Sequence, residues 1–130
     1  MRTASLTAAA AALFCAASPA FATSSIHCRT RGGGPDIWLS VPYERGTGIS
    51  DARIIAGREE IVTGQTRGGP WISQSRINAR ELRLRVAPGG NRNVILVVTA
   101  TRRGTPYVGS AVWRGRTFPV RCYWDEDDEG

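Results

Sequence analysis

Apolar and polar residues alternate with a period of two along most of this chain, and that period predicts half-buried β-strands rather than helices. In Ser25–Arg31, Ile26, Cys28 and Thr30 share one face while His27, Arg29 and Arg31 share the other. Asp36–Tyr43 repeats the pattern with Ile37, Leu39 and Val41 inward, and Pro42 limits pairing at its far end. Glu81–Ala87 sets Leu82, Leu84 and Val86 against Arg83 and Arg85. Val94–Thr101 is apolar on both faces, as in a central strand whose second face is covered. Ile95 and Val97 supply that second face, so either the 65–80 connection or an apolar partner is expected to lie over them.

Glycine- and proline-rich breaks separate these runs, at Gly32–Pro35, Pro88–Asn91 and Arg103–Pro106. Two stretches are less clear. Ile49–Gly64 reads as a hairpin turning at Gly57, or as a short helix capped by Ser50. The hairpin is preferred because Gly57 would fall inside the helix and the isoleucines are β-branched. Gln65–Arg80 is polar and reads as a long connection around Trp71.

The stretch Trp113–Trp124 reads as the last hairpin. A two-residue Arg114-Gly115 turn pairs Trp113 with Arg116, and the register then sets Ala111 against Phe118, Gly109 against Val120 and Tyr107 against Cys122. Pro119 falls opposite Ser110, with its missing N–H directed away from the hairpin, towards the first strand. Seven or eight short strands with close turns predict an all-β fold, a small antiparallel barrel or sandwich.

Ahead of the first strand, Arg2, the apolar run Ala8–Ala17 and the Ala20-Phe21-Ala22 pattern read as a secretory signal cleaved after Ala22. The expected organisation is a signal at 1–22, one domain at 23–124 and an acidic disordered tail at 125–130, exported to the periplasm or beyond. No apolar run is long enough to predict a transmembrane segment. Loss of the signal removes Cys15 and leaves Cys28 and Cys122, which in an exported chain predicts one disulfide joining the first and last strands.

Net charge is +6, every basic residue is arginine, and five acids are gathered in Asp125–Glu129. The body of the domain is thus strongly basic, which favours an anionic envelope polymer, lipid headgroups or an acidic protein over nucleic acid in that compartment. If the strands run up and down, the turns carrying Arg31, Arg58, Arg92, Arg114 and Arg116 share one end, and such a rim suits bidentate contact with carboxylate or phosphate.

Catalytic chemistry is hard to assemble. His27 is the only histidine, so no two-histidine metal site can form, and a nucleophile triad would have to use it with a serine such as Ser40 or Ser110 outside any Gly-x-Ser-x-Gly turn. The absence of lysine excludes Schiff-base chemistry. No cofactor is expected. Gly104-Thr-Pro-Tyr107 followed by Trp113-Arg-Gly115 resembles the Ser-Gly-x-x-Tyr and Trp-x-Lys-Gly segments of exported C-type lysozyme inhibitors, which are small disulfide-bearing β-barrels. The resemblance spans about a dozen residues, with Arg103 in place of the serine and Arg114 in place of the lysine out of register, and it transfers no residue's role. The expectation is a non-enzymatic domain binding something anionic through its arginine turns. A periplasmic inhibitor of a cell-wall lytic enzyme is the alternative, and a hydrolase the third.

Overall fold

A computed structural model describes residues 23–42, 48–89 and 94–125. The stretch 1–22 read as a secretory signal, Arg92 and most of the acidic tail lie outside them. The described chain forms nine strands: β1 Thr23–Thr30, β2 Asp36–Pro42, β3 Asp51–Ala56, β4 Glu59–Val62, β5 Trp71–Ile77, β6 Glu81–Ala87, β7 Leu96–Arg102, β8 Tyr107–Trp113 and β9 Arg116–Trp124. They make one antiparallel sheet in the order β4-β3-β2-β1-β9-β8-β7-β6-β5. The sheet curls into a half-barrel, all-β as expected, with nine strands in place of the seven or eight the sequence suggests.

The period-two alternation decides which face is which. Ile26, Ile37, Leu39, Ile54, Leu84, Val98 and Tyr107 are all at most 1% exposed and meet on the concave side. Their odd-numbered or even-numbered neighbours form the convex outer face. Curling lets inward residues from distant strands close one core, which a flat sheet of this length would leave wet.

β8 and β7 approach closely at Gly109. A Cβ built there would sit 1.9 Å from the Thr99 carbonyl oxygen on β7, so only glycine allows that approach. In the β8–β9 hairpin the whole register matches the sequence-based expectation, from Trp113↔Arg116 to Tyr107↔Cys122. Arg114 and Gly115 both have positive φ, at 47° and 86°, the backbone of a two-residue turn that matches strand twist.

Cys28 and Cys122 are directly opposite on β1 and β9, with Cα atoms 3.9 Å apart, and form the expected disulfide. One residue beyond the Thr30↔Val120 pair, the Arg31 N–H donates to the Pro119 carbonyl at 3.0 Å, and proline has no N–H to return the bond. The β1–β9 ladder ends there, at Thr30↔Val120.

Two expectations need correcting or resolving. The 49–64 stretch is a hairpin, pairing Arg53↔Val62 through Ala56↔Glu59 around Gly57 at φ 64°. The 65–80 stretch is not a connection lying over Ile95 and Val97, because Trp71–Ile77 is a ninth strand that pairs with β6, on its side remote from β7. Its alternation is hidden by a bulge between Ile72 and Gln74, where one extra residue shifts the pattern by one. The turn into β6 is fixed by the Asn78 side chain, which accepts from the Arg80 and Glu81 N–H groups at 2.8 and 3.0 Å. From β8, the Tyr107 hydroxyl donates to the Asn78 carbonyl at 2.6 Å and holds that turn against the core.

Candidate functional site

The convex face of β8, β9 and β1 carries a groove of about 460 Å³ lined by Arg29, Arg31, Val108, Pro119, Arg121 and Tyr123 among others. Its composition follows from strand parity. With Cys28 opposite Cys122 and both inward, one step along each strand puts Arg29 opposite Arg121, both outward. The next outward pair is His27↔Tyr123, and on the other side Arg121 lies opposite Val108. Beyond the end of the ladder, Arg31 follows Arg29 on the same face, beside Pro119.

Behind the groove, towards β2, a polar relay positions Arg29. The Arg29 Nε–H donates to His27 Nδ1 at 3.3 Å, and the other ring nitrogen of His27, Nε2, lies 3.0 Å from Asp36 Oδ1. Since a guanidinium only donates, Nδ1 must be the accepting nitrogen, which leaves the ring proton on Nε2 to donate to Asp36. His27 is expected on the outer face of the first strand and is there, but it is only 5% exposed because the Trp38 ring stacks on it at 3.7 Å and 3°. Imidazole, indole and carboxylate thus hold one another flat against the sheet and fix the direction from which Arg29 emerges. Arg31 and Arg121 are exposed and have no carboxylate partner among the described residues. Positive charge gathered on one face attracts an anion, and the planar forks of arginine match carboxylate or phosphate oxygens two at a time.

The turn arginines are distributed differently. The up-and-down order does place the turns carrying Arg31, Arg58, Arg114 and Arg116 at the same end of the sheet. Arg114 reaches across to Glu59, beside Arg58, and holds it with two nitrogens at 2.9 and 2.5 Å. It also lies over the Trp113 ring at 4.7 Å, and Arg116 lies over the Phe118 ring at 5.4 Å. Of the rim arginines, Arg31 is the one that also lines the convex groove. Arg92 lies outside the described residues. Ile95 packs against the core cluster, and Val97 is half-buried on the outer face between Arg85 and Val112.

Arg29 and Arg121 are the site residues that sequence reasoning passes over, since each reads as an ordinary outward position on a strand. The signal is the disulfide. Once Cys28 is placed opposite Cys122, the pairing of Arg29 with Arg121 follows without further information.

Among the described residues no three His, Cys, Asp or Glu side chains group in a way that could hold a metal ion, and no helix is long and apolar enough to cross a membrane. Comparison with protein-family models, with curated proteins and with solved structures gives no match.

Proposed function

We propose that this protein is an exported, non-enzymatic binding module for an anionic ligand, and that the convex groove over the β1–β9 seam is where the ligand sits. The observation that carries the reading is the grouping of Arg29, Arg31 and Arg121 around one groove of about 460 Å³. Tyr123 and Val108 give that groove an apolar floor, against which a desolvated carboxylate or phosphate interacts more strongly with the guanidinium groups than it would on an open surface. Partners of suitable chemistry are an anionic envelope polymer, lipid headgroups or an acidic protein surface. The disulfide is compatible with an oxidising, exported location.

The test is direct binding of the domain from Thr23 onward to vesicles containing phosphatidylglycerol and to peptidoglycan, at low and high salt. Expected is binding that weakens steeply as salt rises, because exposed charges are screened within a Debye length of about 10 Å at 0.1 M. Absence of binding to both at low salt would count against the reading. A second reading, inhibition of a cell-wall lytic enzyme, is supported by a different observation. The Arg114–Glu59 clamp joins the β3–β4 and β8–β9 turns into one end that could enter an acidic cleft. Sub-micromolar inhibition of a lysozyme would favour that end over the groove.

A further inference from the structure

A second groove, of about 420 Å³, lies where the two edges of the sheet approach each other. Its chemistry is the reverse of the first. Among the residues that line it are Ser50, Thr63, Trp71, Ser73, Gln74 and Ser75, and no lining residue is charged, in a chain with 17 arginines and 11 acids. Trp71 is 52% exposed, the most exposed large hydrophobic residue described. The bulge at Ser73 matters here. Trp71 and Gln74 are three residues apart and would point to opposite faces of a regular strand, but the extra residue puts both outward.

The hydroxyls brace the walls. Ser75 Oγ accepts from the Ile49 N–H at 3.3 Å, Thr63 Oγ1 accepts from the Ala52 N–H at 3.0 Å, and Ser73 Oγ donates to the Arg85 carbonyl at 3.3 Å. The exposed Gln74 amide makes no hydrogen bond among the described residues and offers both a donor and an acceptor.

We propose that this seam is a binding site for a neutral saccharide, with Trp71 as the stacking platform and the Gln74 amide reading a hydroxyl. A sugar presents an apolar C–H face to an indole and hydroxyls that both donate and accept, which is what this lining offers. An anion finds no cation in it, and a cation finds no carboxylate. An extended peptide adding to the edge of β5 is disfavoured, because the bulge interrupts the ladder it would need.

The test is saturation-transfer NMR of the domain from Thr23 onward with cellotetraose, maltotetraose and chitotetraose, at low and high salt. At least one is expected to bind with an affinity that salt leaves unchanged. Trp71→Ala should weaken it roughly tenfold or more, the scale of one lost aromatic contact. Trp71→Phe should restore part of the affinity, and Arg29→Gln with Arg121→Gln should leave it as it was, which separates this site from the anionic one. No binding by any of the three overturns the proposal. So does equal binding by Trp71→Ala, or occupation of the seam by a proline-rich peptide and not by the saccharides.

Discussion

The sheet has two seams, and they are built in opposite ways. At the first, strands from opposite ends of the domain, β1 and β9, pair over five residue pairs and are crosslinked by Cys28–Cys122. At the second, β4 and β5 are consecutive in sequence yet do not pair. They are held near each other by the Gly64 N–H bond to the Pro70 carbonyl, the Ser75–Ile49 bond and the polar loop between the strands. Each seam carries a groove, lined by three arginines over the closed seam and by no charged group at the open one. The comparison teaches that closure and chemistry are arranged together. A covalently fixed strand pair can hold like charges such as Arg29 and Arg121 face to face, an arrangement that opposes pairing. The open seam, without ladder bonds, is lined by neutral groups, and one hydroxyl, Ser75 Oγ, reaches across it to accept from the Ile49 N–H.

The difference between the seams can be broken most forcefully at the disulfide. Cys122→Ser removes a crosslink between residues 94 apart in sequence, and the chain-entropy model puts its contribution at about 4–5 kcal/mol. Thermal unfolding followed by circular dichroism should show one transition moved to much lower temperature, since β1 and β9 sit at the centre of the sheet order and not at an edge. An unchanged midpoint would mean that backbone pairing alone holds this seam. Gly109→Ala comes next, at about 2–3 kcal/mol by denaturant titration, because the new methyl meets the backbone of β7 and not a side chain that can turn away. At the charged groove, Arg29→Gln together with Arg121→Gln should weaken anion binding on the order of tenfold to a hundredfold by calorimetric titration, while the lost Arg29–His27 hydrogen bond offsets the relief of like-charge pairing and keeps the stability change within about 1 kcal/mol by thermal unfolding. The smallest effect is expected at the turn end. Glu59→Gln removes an exposed ion pair with Arg114 and should cost about 0–1 kcal/mol.

Much of this architecture is legible in the residue pattern, for a physical reason. Where a strand is buried on one face, a slip of one residue would exchange its entire apolar set for a polar one, so the pattern constrains the register. That is why the β8–β9 pairing and the disulfide follow from Trp113–Trp124 and Cys28 alone. β5 escapes for the complementary reason. Its bulge shifts the alternation at Ser73, and Ser75, facing inward, carries a hydroxyl where an apolar residue would signal burial. The site is legible only in part. Arg31 is marked by its turn, but Arg29 and Arg121 gain significance only from being opposite each other, a relation between distant segments. The burial of His27 beneath Trp38 has the same origin, because the pair forms across β1 and β2.

The central claim is that the arginines over the closed seam, and not those at the turn end, take the anion. It is tested most directly by measuring binding to phosphatidylglycerol vesicles at low salt for two matched variants. One carries Arg29→Gln and Arg121→Gln; the other carries Arg58→Gln and Arg116→Gln and so removes the same number of charges from the turns. The groove variant is expected to lose most of its affinity while the turn variant keeps most of it. Equal losses would reduce the attraction to net charge, and a larger loss in the turn variant would contradict the claim outright.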